Sequence, residues 1–315
     1  MISVAMATYN GEKYLREQID SILNQTIQDF ELIVCDDCST DNTWNILQKY
    51  QSQDKRIKCY RNEENLGFKK NFEKAIKLCT GEYIALSDQD DIWLPEHLEK
   101  LVNIIGNADL ACGTELLFSD TTNKMREKLT LKEEDMKFTF PSIDFLYVIL
   151  CHGNFLAGNS MLFSRSFFQK IVPFPDVYHD FWLMSCSCVC NGFVFYPIPI
   201  TKRRVHLNNV SGISLEEPRI FSRILSRFFS ISEREKSKIE YKNRLTILQS
   251  LTDRFNLAVF FPKDVVAIRR ILEGKLAPRL SVKRFIGLYY YMQKIEIISM
   301  NSKVNRVKKA VSFIL

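Results

Sequence analysis

Ser87-Asp88-Gln89-Asp90-Asp91-Ile92-Trp93 sets three carboxylates within four positions, directly after the apolar run Tyr83-Ile84-Ala85-Leu86 and just before Pro95. Like charges this close at the end of a strand repel unless a cation or hydrogen-bond donors hold them. A divalent ion is the natural partner. Mg²⁺ or Mn²⁺ takes oxygen ligands, keeps several waters and completes its shell with phosphate oxygens, so a nucleotide diphosphate is the expected co-ligand. A structural reading competes, since carboxylates ahead of Pro95 also suit the positive end of a following helix.

The elements that must carry this cluster alternate in type. Ile2 to Met6 is a short apolar run, and Asn10-Gly11 then opens a segment with Tyr14, Leu15, Ile19, Ile22 and Leu23 on one helical face. Residues 30–35 form a second apolar run, followed by a helix beginning near Asp41 with Trp44, Ile46 and Leu47 among its apolar positions. A strand over 57–60 leads to a helix whose face carries Phe72, Ala75, Ile76 and Cys79, and then to Tyr83–Leu86. Strand and helix in alternation imply an α/β fold with a parallel sheet covered on both faces, which binds ligands at the carboxyl ends of its strands.

Each strand end carries candidates. They are Thr8-Tyr9-Asn10-Gly11, Asp36-Asp37-Cys38-Ser39-Thr40-Asp41, Asn65-Leu66-Gly67 with Lys69-Lys70-Asn71, and the acidic cluster. Any one alone reads equally well as turn and capping chemistry; four at one edge of one sheet read as a site. Farther on, Gly158 leads a turn into a strand, and Asp180, after His179, precedes an aromatic-rich helix that it could simply cap. Lys202-Arg203-Arg204-Val205-His206 is a basic stretch with a lone histidine, a pattern as compatible with a solvated strand edge as with a ligand site. Residues 113–142 are polar and charged and are expected to form a loop with a helical piece crossing the site.

In the same order, these motifs resemble those of the glycosyltransferase family 2 enzymes, and the resemblance covers residues 1–212. It implies the GT-A fold, a Rossmann-like, mostly parallel sheet flanked by helices, with 213–315 as a helical, basic C-terminal region. It also implies that Thr8, Tyr9, Asn10 and Asp36 or Asp37 hold the nucleotide, that Lys70 lies near it, and that Asp88-Gln89-Asp90 is the DXD motif. There Asp90 contacts the metal and Asp88 reaches the ribose or a metal-bound water. Asp180 matches the catalytic base, and His179 a supporting neighbour. Arg204 and His206 match an R-x-H-x-x-N-x-x-G stretch that closes over the donor, His206 completing the metal site and the basic residues meeting phosphate. The chemistry agrees with these roles: Asp pairs with base N–H groups, Tyr9 can stack, and a carboxylate base opposite the leaving group gives an inverting displacement. One departure is Cys38, where the family usually has Gly.

Composition bounds the rest. The chain has 315 residues, 46% of them hydrophobic, with nine cysteines scattered through apolar segments, as expected of reduced, buried thiols, and Cys186, Cys188 and Cys190 read as core. The start at Met1 shows no leader-like pattern and no apolar run reaches the length of a membrane span, so a cytoplasmic protein, peripheral on the cytosolic membrane face, is expected. Of the net charge of +6, residues 1–214 carry about −6 and residues 215–315 about +12. Residues 219–230 place Ile220, Phe221, Ile224, Leu225, Phe228 and Phe229 beside Arg219, Arg223 and Arg227, a basic amphipathic helix suited to an anionic membrane surface or to packing on the catalytic domain. Phe285, Ile286, Leu288 and Tyr289 to Tyr291 extend the apolar surface, and 303–315 repeats the basic amphipathic pattern; these apolar faces fit a membrane or protein better than nucleic acid.

The resemblance, which is greatest to the rhamnosyltransferase-like branch, thus implies transfer of a sugar from a UDP- or dTDP-sugar to a glycan or lipid-linked acceptor in bacterial surface polysaccharide synthesis. The alternatives are a non-catalytic nucleotide- or glycan-binding scaffold, against which Asp90, Asp180 and His206 together argue, and a sugar nucleotidyltransferase. The latter needs a basic, Gly-rich phosphate loop, whereas Ala7 to Gly11 offers one glycine and no Lys or Arg.

Overall fold

The computed structural model describes residues 1–120, 125–127, 138–140, 146, 149–150, 156–206, 231–257, 265–266 and 268–269. Four parallel strands, β1 (Ile2–Thr8), β2 (Phe30–Asp36), β3 (Ile57–Arg61) and β4 (Tyr83–Ser87), are linked by helices α1 (Leu15–Leu23), α2 (Thr43–Gln53) and α3 (Phe68–Leu78). The chain then runs through the two-residue β5 (Ile92–Trp93), α4 (His97–Ile105), β6 (Leu110–Phe118), β7 (Met125–Glu127) and β8 (Phe138–Phe140). A 3₁₀ turn at Gly158–Ser160 leads to β9 (Met161–Ser164), α5 (Arg165–Ile171), α6 (His179–Val189), β10 (Phe193–Arg204) and α7 (Ile231–Phe255).

The strands join one sheet in the order β3-β2-β1-β4-β9-β6-β10-β5, with β7 on β6 and β8 on β10. From β1 the chain winds outward to β2 and β3 and then returns to β4 on the other side of β1. That reversal opens a crevice at the carboxyl ends of β1 and β4, where doubly wound sheets bind ligands. β9 runs antiparallel between β4 and β6, while β6 and β10 are parallel.

Alternation along the strands sorts the core into two layers. Val4 and Met6 of β1 face the side covered by Leu15, Ile19 and Ile22 of α1, Ile46 and Leu47 of α2, and Leu98 and Leu101 of α4. Ala5 faces the other side, packed by Phe72 and Ile76 of α3, Phe167 of α5 and Trp182 of α6. Ile247, Leu248 and Leu251 of α7 belong to this second layer, each contributing roughly 1.5–3 kcal/mol on burial. Arg254 secures the end of α7, donating to the Ile171 carbonyl and, at 3.0 Å, to that of Pro173.

The loop expected over 113–142 is corrected by β6, which continues to Phe118, and by strands at 125–127 and 138–140. Polar residues hide this strand because Glu115, though 1% exposed, is neutralised by Arg203 of β10 at 3.2 Å. The amphipathic segments at 219–230 and 303–315 and the apolar one at 285–291 lie outside the described residues. Among the described residues no helix is long and apolar enough to cross a membrane.

Candidate active site

The acidic cluster leaves β4 and is separated from α4 by β5, so these carboxylates do not cap the next helix. Each has its own surroundings. Asp91 is buried; the Asn159 amide and the Arg204 backbone N–H, the latter at 2.9 Å, both donate to it. Asp90 meets His206, whose Nε2 lies 2.8 Å from its Oδ2, and its backbone carbonyl accepts from Arg204 Nε at 3.0 Å. Asp88 is half-buried. Withdrawal from water, followed by the charge on Asp90, pushes its carboxyl up to about 7; Asp180 adds to the rise and Arg203 opposes it.

Gln89 fastens this cluster to the first loop. Its Oε1 accepts from the Tyr9 N–H and its Nε2 donates to the Tyr9 carbonyl, both at 2.9 Å. Gly11 makes room for the contact, because a Cβ there would stand 2.3 Å from Gln89 Oε1. Asn10, at φ 48°, accepts from the Thr40 N–H and thereby ties the β1 loop to the β2 loop. Tyr9 itself remains 47% exposed above these loops.

Asp36 and Asp37 lie beneath that surface. Thr8 and the Ser39 backbone donate to Asp36 at 3.1 Å, and the Ser39 hydroxyl donates to it at 2.5 Å. Asp37 accepts from the Leu66 and Gly67 backbone N–H groups at 2.8 Å and from Asn62 at 2.7 Å, holding the loop that opens α3. Lys70 is exposed in the first turn of that helix. Asp180 occupies the first turn of α6, oriented by the Phe181 N–H at 2.7 Å, and its charge is felt at Asp88.

Comparison with known proteins identifies the lineage. The family model described as Glycosyl transferase family 2 matches residues 3–172, more than half of the chain. The chain belongs to glycosyltransferase family 2. An uncharacterized glycosyltransferase of Methanocaldococcus jannaschii is 35% identical over 201 residues, which cover 62% of this chain and 67% of that protein. The putative teichuronic acid biosynthesis glycosyltransferase TuaG of Bacillus subtilis is 36% identical over 125 residues, 39% of this chain and 50% of its own. The crystal structure of S. aureus TarS 1-349 in complex with UDP-GlcNAc superposes with a TM-score of 0.55 at 18% identity, over 94% of this chain and 88% of that one. The fold is therefore the GT-A fold.

Within this glycosyltransferase several contacts of the basic stretch had no signal in the sequence. Arg203 sits beside Glu115, Asp91 and Asp88; burial works against its charge, but these carboxylates outweigh it and hold the guanidinium firmly protonated. Arg204, expected at the phosphates, is 2% exposed, donates to Glu17 at 2.5 Å and to Asp120, and lies over the Tyr14 and Phe118 rings. Tyr14 in turn stacks on His206 at 5.1 Å. All these contacts join residues far apart in sequence, so local pattern cannot reveal them. Among the described residues no group of three or more His, Cys, Asp or Glu side chains is placed to hold a metal ion. The donor set at Asp90 and His206 still suits an ion that takes only one or two protein ligands and fills its shell with water and phosphate.

Proposed function

We propose that this glycosyltransferase moves a sugar from a nucleotide diphosphate donor to a glycan or lipid-linked acceptor by metal-assisted, inverting displacement. The observation that carries the reading is the 2.8 Å contact between Asp90 and His206, formed across residues 116 apart in sequence at the crevice between β1 and β4. These two residues would hold Mg²⁺ or Mn²⁺, with Asp88 reaching the ribose or a metal-bound water. Bound there, the ion supplies charge neutralisation for the departing diphosphate.

The chain's own residues do the rest. Tyr9 offers an exposed ring for the base, and Thr8, Asn10, Asp36 and Asp37 shape the loops around it. Lys70 extends a cation toward the diphosphate. Arg204 acts chiefly by pinning the Asp90 backbone, since Glu17 and Asp120 engage its guanidinium. Asp180 takes the proton of the acceptor hydroxyl as it attacks the anomeric carbon, a role worth roughly 10²- to 10⁴-fold in rate. A role in cell-surface polysaccharide synthesis is supported by the likeness to TuaG, named for teichuronic acid biosynthesis. A nucleotide-sugar donor is supported by the shared fold of TarS, crystallised with UDP-GlcNAc.

The deciding experiment is metal-dependent hydrolysis of a panel of UDP- and dTDP-sugars by the parent chain, Asp90→Asn and Asp180→Asn. One donor should be hydrolysed slowly with Mn²⁺ or Mg²⁺, and Asp90→Asn should abolish this. Donor binding without turnover, unchanged by either substitution, would favour the scaffold instead.

A further inference from the structure

A column of rings rises from the core beside Asp180. Phe72, 3% exposed, packs on His179 with centroids 4.1 Å apart. His179 is buried, its Nδ1 has no hydrogen-bond partner, and burial pulls its pKa down, so it sits there as a neutral ring. Phe68 meets it edge-on at 6.4 Å, and Tyr178 lies 5.5 Å from Phe68, tilted by 34°. Gly158 closes the other side, where a Cβ would come within 2.8 Å of His179 Nε2.

The top of the column is open. Tyr178 is 42% exposed, and the large hydrophobic side chains exposed among the described residues are otherwise Met1, Tyr9, Tyr60 and Val266. One exposed tyrosine is unremarkable in a folded protein. This one is backed by the tilted Phe68 ring, lies two positions before Asp180, and has charged groups beside it. Lys69 Nζ stands over the Tyr178 ring, 5.6 Å from its centroid, and is paired with Asp176 Oδ1 at 2.9 Å. An exposed aromatic ring beside a paired carboxylate and ammonium is complementary to a pyranose ring, whose C–H face stacks while its edge hydroxyls find polar partners.

We infer that Tyr178, supported by Phe68 and flanked by Lys69 and Asp176, is the platform on which the acceptor's terminal pyranose stacks. The acceptor class is then a glycoside presenting an uninterrupted C–H face, held so that a hydroxyl meets Asp180. The inference rests on the transferase reading and names the acceptor side of that same site.

Saturation-transfer NMR of the full chain with methyl β-glucoside, methyl β-galactoside, methyl N-acetyl-β-glucosaminide and methyl α-rhamnoside tests it without donor or metal. At least one glycoside should receive saturation on one ring face. Tyr178→Ala should weaken that binding about tenfold, and Tyr178→Phe should retain it within about twofold, because the ring rather than the hydroxyl makes the stack. Equal binding by parent and Tyr178→Ala, or no glycoside bound by the parent, overturns the platform. Glycoside binding through Tyr178 in a chain that hydrolyses no nucleotide sugar would keep the platform and sink the transferase reading, so the two failures are separable.

Discussion

Replacing Gly11 by alanine should act on the acidic cluster through Gln89. The added methyl would stand 2.3 Å from Gln89 Oε1 and 2.6 Å from its Cδ, so the amide must leave. Swinging aside costs a flexible side chain little; the loss is the pair of 2.9 Å hydrogen bonds to the Tyr9 backbone. At about 1 kcal/mol net for each bond, less where water competes, the pair is worth about 1–2 kcal/mol. Gly11 has no positive φ, so alanine also gains about 0.5 kcal/mol by restricting the unfolded chain. The clean measurement is a double-mutant cycle in urea with Gly11→Ala, Gln89→Ala and the double variant. Gly11→Ala should be destabilising in the parent and neutral or slightly stabilising once Gln89 is gone, a coupling of about 1–2 kcal/mol. The same loosening should lower metal-dependent donor hydrolysis in both single variants. Additivity within about 0.3 kcal/mol would show that Gln89 does not hold the two loops together, and the reasoning would fail.

Glu31, buried between β1 and β3, offers a pH test. Burial raises its pKa, but Lys58 at 2.8 Å, Ser3 and Thr80 more than offset this and bring it from 4.5 to about 2. A depressed carboxylate contributes stability that is complete above pH 4.5 and is lost as pH falls toward 2. Glu31→Gln should therefore destabilise by about 2 kcal/mol at neutral pH, allowing for the solvent screening of Lys58, and the gap from the parent in urea midpoint should close on acidification; a gap independent of pH would refute the assignment. Cys38 sits at φ 63°, a left-handed backbone that costs a side chain about 1–2 kcal/mol. Glycine's extra freedom when unfolded returns up to about 1 kcal/mol of that, so Cys38→Gly should raise stability by about 0.5–1 kcal/mol in urea, and a lower midpoint would contradict the strain.

What could be read from the sequence was whatever is written locally. The strands of the first half are apolar runs bounded by polar loops, and the acidic cluster stands out because three charges cannot follow a buried strand without purpose. Cys38 was legible as a departure, and its positive φ shows why glycine is the usual occupant. The extent of β6 was not legible, because Glu115 makes a buried strand look like a loop until Arg203, 88 residues later, neutralises it. Nor could periodicity tell that β9 would run antiparallel, since alternation fixes which face a side chain takes and not the direction of its strand. The candidate site divides along the same line. Asp88 and Asp90 announce themselves by type and Asp180 by the family resemblance alone, whereas Gln89, Glu17 and Asp120 are ordinary surface polar residues in their own segments. They matter because the crevice between β1 and β4 draws together chain ends that are 80 to 187 residues apart. Local motif therefore selects the candidate groups for chemistry, and long-range pairing selects the groups that hold them. For that reason the Gly11–Gln89 coupling, rather than the loss of any aspartate, is the measurement that probes the structure itself.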